Sequence, residues 1–249
     1  MANKLSVVLA AKDPDQRTLE LCIASFLALR NSIDIEFIVV SSGVLPELRV
    51  DVSAFNCFTI IYIPPEGVYS AYNPGVSFAS GEYVLFYGFD DIALPDMDKV
   101  IDGILGGDIA YDLVVCASYM QGAGVSVPCS WSPFVLFRNF CHQGVFYKRS
   151  VFDKYQYDTK YVIQADHKMN IQVLADPLMD VHFSRMLVSY FSAGGISSSM
   201  PDLVFRNDLG RITRDSFGLF FASVVLAKQA LVDILTVIFD RRFRSRRKN

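Results

Sequence analysis

Two adjacent carboxylates, Asp90-Asp91, close the strongly apolar run Tyr83–Tyr87, and a third, Asp166, opens a stretch with helical periodicity. Neighbouring carboxylates at a strand end repel each other unless a cation sits beside them, and their hard oxygens suit Mg2+ or Mn2+ bridging a diphosphate. The same pair would also serve to cap a helix starting near Pro95. Asp166 has three readings: a helix cap, a solvated surface charge, or a general base taking the proton of a sugar hydroxyl. His142-Gln143 precedes the apolar run GVFY. His142 suits a metal ligand, a phosphate donor or a core ring with satisfied nitrogens, the last being the commonest fate. In Glu66–Gly75 (EGVYSAYNPG), Gly67 frees the backbone for close approach of a ligand, and Asn73 can both donate and accept.

These groups need a scaffold that brings them to one edge. Leu5–Ala11, Ile35–Val40, Phe58–Ile63 and Tyr83–Tyr87 are near-continuous apolar runs. Gln16–Arg30 carries Leu19, Cys22, Ile23, Phe26 and Leu27 at spacings of three and four, the stripe of an amphipathic helix, and Ser70–Ala79 predicts another helix. Strand, helix, strand with continuous apolar strands implies a parallel sheet covered on both faces. Ligands of such α/β sheets lie beyond the carboxyl ends of the strands, where this chain carries Lys12-Asp13, Ser41-Ser42-Gly43 and Asp90-Asp91. The second half is less regular. Strands are expected at Leu113–Ala117, Gly144–Tyr147 and Leu187–Phe191, a helix at Ala165–Leu174, and a loop at Ser192–Ser199.

Composition narrows the class. The chain has 249 residues, 52% of them hydrophobic, enough for a packed core, and its net charge of −3 hides an asymmetry. Asp240–Asn249 sum to +5, with five Arg and one Lys against one Asp, leaving −8 for the body. An acidic body is not a nucleic-acid-binding surface, which needs a basic face. Five cysteines without CxxC or Cys/His spacing fit buried thiols in a reducing compartment better than disulfides or zinc. The apolar run at the N-terminus is too short for an ordinary signal segment and reads as a first strand. A Walker loop, GxGxxG after the first strand, GxSxG and HExxH are all absent, which weakens the common nucleotide, hydrolase and zincin readings.

The order of the pieces resolves them. SVVLAA, FIVVSSG, EGVYSAYNPGVSFASGEYVLFYGFDD, HQGVFYKRSVF, YVIQADHKM and SYFSAGGIS follow one another over residues 5–199. This order resembles the family 2 glycosyltransferases, in particular the bacterial surface-polysaccharide branch. The resemblance implies a GT-A, Rossmann-like α/β fold: a mixed, mainly parallel central sheet flanked by helices. It also implies inverting transfer from a nucleotide-diphosphate sugar, with Mn2+ or Mg2+, to a hydroxyl of a glycan acceptor. Asp90 and Asp91 match the metal position and Asp166 the catalytic base. Ala11, Lys12, Asp13, Ser41, Glu66, Tyr69, Asn73, Asp90, His142 and Gln143 match the nucleotide-sugar pocket. The chain departs from the family pattern at three places: Ser41 stands for a base-binding Asp, Pro74 for a Lys, and Lys168 for an acidic residue. Ser41 can hydrogen-bond a base without charge, so donor choice stays open. The alternatives are an active enzyme with an altered donor and a non-catalytic sugar-nucleotide-binding or scaffold protein; retention of Asp90, Asp91 and Asp166 favours activity. A nucleotidylyltransferase fits less well, because no Gly-rich basic loop follows the first strand.

The simplest partition is a catalytic domain, 1–210, and a C-terminal helix with a basic tail, 211–249. Gly218–Phe239 is long enough to span a bilayer, but Lys228 and Asp233 near its centre disfavour insertion. Gln229, Asp233, Thr236 and Asp240 share one helical sector, leaving a broad apolar face that suits an interfacial helix, packing on the domain, or a homodimer contact. With the basic tail, this predicts docking on an anionic membrane, a lipid-linked acceptor, and a cytoplasmic, peripheral location on the inner face of the cell membrane.

Overall fold

The structure is a computed structural model that describes residues 5–29, 34–105, 107–193 and 201–246, with side chains as far as residue 236. The strands are β1 (Leu5–Ala11), β2 (Ile35–Ser41), β3 (Cys57–Tyr62), β4 (Tyr83–Gly88), β5 (Ile92–Ala93), β6 (Leu113–Met120), β7 (Gly124–Ser126), β8 (Val145–Lys148) and β9 (Val181–Phe191). They form a sheet in the order β3-β2-β1-β4-β8-β6-β9-β5, with β7 paired to β6. β3, β2, β1 and β4 run parallel; β8 lies antiparallel between β4 and β6, and β9 runs parallel to β6. The expected mixed, mainly parallel sheet is thus present.

Successive strand residues point to opposite faces, and here both faces are covered. Val8, Ile38, Val40, Val84 and Phe86 face one core, shared with helices α2 (Val68–Phe78) and α4 (Ala165–Ala175). Val7, Leu9, Phe37, Val39, Leu85 and Tyr87 face the other, shared with α1 (Gln16–Leu27) and α3 (Asp96–Val100). Double-sided burial explains why β1, β2 and β4 are apolar at nearly every position rather than at alternate ones, the buried Ser6 and Glu36 bonding each other at 2.6 Å, while the edge strand β3 is partly exposed. α1 begins at Asp15, whose carboxylate accepts from Thr18 N at 2.9 Å.

Two elements are longer than the sequence suggests. β9 starts at Val181, not Leu187, because it pairs with β6 through irregular register even where its residues are polar or half-buried. A further helix, α5 (Leu203–Phe217), is capped by Asp202 and continues across the boundary expected at residue 210; the chain breaks helix at Gly218, with φ 87°, before α6 (Leu219–Arg246). Gly210 lets α6 approach closely, since a Cβ there would lie 2.7 Å from Leu226 Cδ2.

α6 is turned in an unusual sense. Gln229 donates to Arg206 O at 3.0 Å, Asp233 pairs with Arg206, and Lys228 reaches Phe137 O at 3.4 Å. The polar residues are thus committed to the body, while Leu219, Phe220, Leu226, Leu231, Val232, Ile234 and Leu235 are exposed. By length and composition Leu219–Thr236 is apolar enough to cross a membrane.

Candidate active site

β1, β2 and β4 end level with one another: Ala11 pairs with Ser41, and Ala10 with Gly88. The loops that leave them therefore share one edge. After β1, Asp13 adopts φ 44° and its Oδ1 accepts from Val44 N at 2.9 Å, tying this loop to the one after β2. Gly43 is required there, because a Cβ would lie 2.8 Å from Asp13 N and overlap its carboxylate. Lys12 and Asp13 are exposed, whereas Ala11 and Ser41 are buried. Ala11 O accepts from Ser42 N at 2.9 Å, and the Ser41 hydroxyl donates to Gly43 O at 2.9 Å, so Ser41 shapes the turn.

Asp90 and Asp91 follow β4 but differ sharply. Asp91 is 1% exposed. Its Oδ2 accepts from Gly88 N at 2.9 Å and Gln143 Nε2 at 2.7 Å, and its Oδ1 from Ser192 N at 3.1 Å. Burial, and then the charge of Asp90, push its carboxyl up to about 7 against these three donors. Asp90 is half-buried, and burial raises it too. Among the described residues no neighbouring residue donates a hydrogen bond to it. No group of three or more His, Cys, Asp or Glu that could hold a metal occurs among the described residues. A divalent cation on a diphosphate needs fewer protein ligands, since one or two carboxylates plus phosphate and water oxygens complete its shell. Asp90, open and adjacent to a second carboxylate, fits that requirement. Asp91 is already spent on internal donors.

Asp166 lies in the first turn of α4, where the helix dipole favours an anion. It is buried; Tyr69 OH lies 2.7 Å from its Oδ1, and Asn139 Nδ2 donates to its Oδ2 at 2.7 Å. The turn before α4 is anchored by Asp202, whose Oδ2 accepts from Ile163 N at 3.0 Å. Lys168, in place of an acidic residue, turns to Asp158 at 2.7 Å.

A ring cluster joins the carboxylates. His142 stacks on Phe86 with centroids 5.0 Å apart, contacts Tyr72 edge-on, and shares a hydrogen bond of 2.8 Å with Tyr157 OH. Burial lowers its imidazole below the usual range. Tyr72, buried between, donates to Tyr87 O at 3.2 Å; burial first, then the charges of Asp91, Asp166 and Asp90, raise its phenol well above the ordinary value. All three candidate carboxylates therefore act on one side chain. Asn73 is held to Tyr157, donating to its carbonyl at 2.9 Å and accepting from its N–H at 3.1 Å, so its amide positions the Tyr157 loop. Glu66 is exposed just before Gly67, whose φ of 104° starts α2. The GGIS segment singled out in the sequence, 194–197, lies outside the described residues.

The structure thus gathers Tyr69, Asp91, His142, Gln143 and Asp166 into one continuous network and leaves Lys12, Asp13, Ser41 and Glu66 on the surrounding loops. A cleft of about 390 Å³ between α2 and residues 149–156 includes neither Asp90 nor Asp166, so the carboxylates rather than volume locate the site. Sequence reasoning missed Tyr72, Asn139 and Tyr157. For Asn139 the available signal was its place three residues before His142 in FRNFCHQ.

Comparison with known proteins fits this geometry. Residues 6–129 match the family described as glycosyl transferase family 2. A PGL/p-HBAD biosynthesis glycosyltransferase of Mycobacterium bovis is 30% identical over 158 residues, a match covering 60% of this chain and 60% of the relative; one from Mycobacterium tuberculosis matches equally. In structure, S. aureus TarS 1-349 superposes with a TM-score of 0.65 at 13% identity, over 90% of this chain and 69% of that one. The mannosyltransferase PcManGT of Pyrobaculum calidifontis, in complex with GDP-Man and Mn2+, gives 0.56 at 12% identity, over 93% of this chain and 76% of that one. The chain belongs to the family 2 glycosyltransferases and has their GT-A fold.

Proposed function

We propose that the chain is an active, inverting glycosyltransferase that moves a sugar from a nucleotide-diphosphate donor to a hydroxyl of a glycan acceptor. The observation that carries this is Asp166: a buried carboxylate at a helix start, oriented by Tyr69 and Asn139, in one ring cluster with the Asp90-Asp91 turn. As the acceptor oxygen bonds to the anomeric carbon, its proton passes to Asp166 and the bond from that carbon to the diphosphate breaks. Asp90 is the residue that would hold Mn2+ or Mg2+, which when bound offsets the charge developing on the diphosphate. Asp91, with Gln143 and Ser192 N, fixes the turn that presents Asp90. The Asp13–Gly43 loops take the nucleobase, and Ser41 leaves the base open. Nucleotide-sugar donors are supported by TarS, which is known in complex with UDP and with UDP-GlcNAc.

The exposed apolar side of α6, followed in sequence by five Arg and one Lys, supports a peripheral location on an anionic inner membrane face and a lipid-linked acceptor of cell-surface polysaccharide. Release of nucleoside diphosphate from a panel including UDP-GlcNAc and GDP-mannose, with Mn2+, tests the function. Turnover abolished by Asp90→Ala and by Asp166→Ala is expected. Donor binding without turnover across the panel would instead identify a sugar-nucleotide-binding scaffold.

A further inference from the structure

Behind Asp166 runs a chain of hydrogen bonds whose polarity is fixed. Tyr147 OH donates to Asn170 Oδ1 at 2.7 Å, Asn170 Nδ2 donates to Asn139 Oδ1 at 2.9 Å, and Asn139 Nδ2 donates to Asp166 Oδ2 at 2.7 Å. Each carboxamide has a donor end and an acceptor end, so the direction set at one link is imposed on the next. Tyr147 and Asn170 are fully buried, which keeps bulk water from swapping donor for acceptor. Reversing the chain would turn the Asn139 carbonyl toward Asp166, an arrangement that only a protonated carboxyl satisfies.

The other groups facing Asp166 make these donors matter. Tyr69 and Tyr72 of α2, Tyr147 of β8 and Tyr157 are phenols raised well above their ordinary range, chiefly by burial. Cys141 is a thiol pushed up to about 12, again chiefly by burial. His142 and the next residue of α4, His167, are both lowered by burial. Lys168 is engaged with Asp158. These surroundings are neutral near pH 7, so hydrogen bonds rather than an opposite charge orient the Asp166 carboxyl.

We propose that Tyr147, Asn170 and Asn139 form a directional relay that presents a donor, never an acceptor, to Asp166, with Asn139 and Asn170 as positioning residues of the transfer reaction. The proposal rests on Asp166 being the base. Asp166 Oδ2 spends one lone pair on Asn139, while the one proton of the Tyr69 hydroxyl is shared between Asp166 Oδ1 at 2.7 Å and Ile163 O at 2.8 Å, so both carboxylate oxygens retain a lone pair for the incoming hydroxyl.

Asn170→Asp is the discriminating variant. It preserves shape, yet its carboxylate accepts from Tyr147 and forces Asn139 to turn its NH2 inward, presenting a carbonyl to Asp166. The readout is the pH titration of the Asp166 side-chain carboxyl by 13C NMR in the full-length protein, together with the pH profile of kcat. We expect the Asp166 titration midpoint and the acid limb of kcat to move together to higher pH by about one unit, with kcat on that limb falling by up to about tenfold while the plateau above it and donor KM stay within about twofold. Tyr147→Phe, which removes a single oxygen, should shift both in the same direction by less, and it carries the test if Asn170→Asp fails to fold. An unchanged midpoint and pH profile in the folded variant overturns the relay. Turnover surviving in Asp166→Ala overturns the base assignment instead, and the NMR titration distinguishes the two failures because it does not depend on activity.

Discussion

Asp91→Asn keeps the shape of a buried side chain and removes its charge, and its effect on stability should depend on pH. In the metal-free protein the Asp91 carboxyl is pushed up to about 7, first by burial and then by Asp90, from 3.8. A folded value above the unfolded one means that between about pH 4 and pH 7 the folded state holds a proton which the unfolded chain has released. The associated stability is fully present below pH 4 and is lost as the pH rises to 7. A shift of this size corresponds to about 4 kcal/mol at most. The variant cannot titrate there, so its advantage over the wild type should grow by up to that amount from pH 4 to pH 8. Against this, only one amide end accepts. If the carbonyl keeps Gly88 N and Gln143, the NH2 meets Ser192 N–H, at a cost of about 1–3 kcal/mol. Asp91→Asn should therefore be neutral or slightly destabilising near pH 4.5 and stabilising at pH 8. Urea unfolding in a chelator across that range measures it, and parallel wild-type and variant curves would refute the reasoning. A mutant with strengthened folding but weakened turnover at pH 8 would show that the cost of burying Asp91 belongs to function.

Two further outcomes follow from the loops and the tail. Gly43→Ala places a methyl against Asp13, so it should destabilise the fold by about 1–3 kcal/mol and weaken nucleoside diphosphate binding about tenfold or more by calorimetry, with kcat at saturation less affected. Deleting residues 241–249 should weaken co-sedimentation with phosphatidylserine vesicles while leaving turnover of a soluble acceptor analogue within about twofold; unchanged sedimentation would remove the basic tail from the membrane account.

Where burial is uniform, sequence and structure agree closely. β1 spans Leu5–Ala11 as expected, because a strand covered on both faces is apolar throughout except at Ser6, whose hydroxyl is satisfied by Glu36 of β2 at 2.6 Å. The early part of β9 escaped notice because its inward and outward positions are mixed, with Ser184 buried and Arg185 exposed. α2 begins two residues earlier than expected and continues through Pro74, although proline removes a helical donor. At the site, acidic residues were legible from their places after strand and helix starts, but their division of labour was not. Nothing local distinguishes Asp90 from Asp91; what separates them is contact with Gln143 and Ser192, 52 and 101 residues away. Asn139 had only its nearness to His142 to mark it, since its role depends on Asp166 and Asn170, 27 and 31 residues further on. On α6, the charges that argued against insertion in the sequence are engaged by Arg206 and Phe137 in the fold.

The sheet order has a consequence for how the protein is made. β9 is inserted beside β6 and supplies the partner of β5, so Ile92 and Ala93 wait for Tyr190 and Ser189. During synthesis the Asp91 carboxylate emerges about a hundred residues before the Ser192 amide that completes its hydrogen bonding. At roughly 5–20 residues per second that is a delay of about 5–20 s, and until β9 emerges the edge of β6 that it covers stays open and β5 has no partner. Such long-range closure slows folding and exposes strands to aggregation, so a nascent chain halted before residue 181 should need chaperone protection that a chain released after 193 does not.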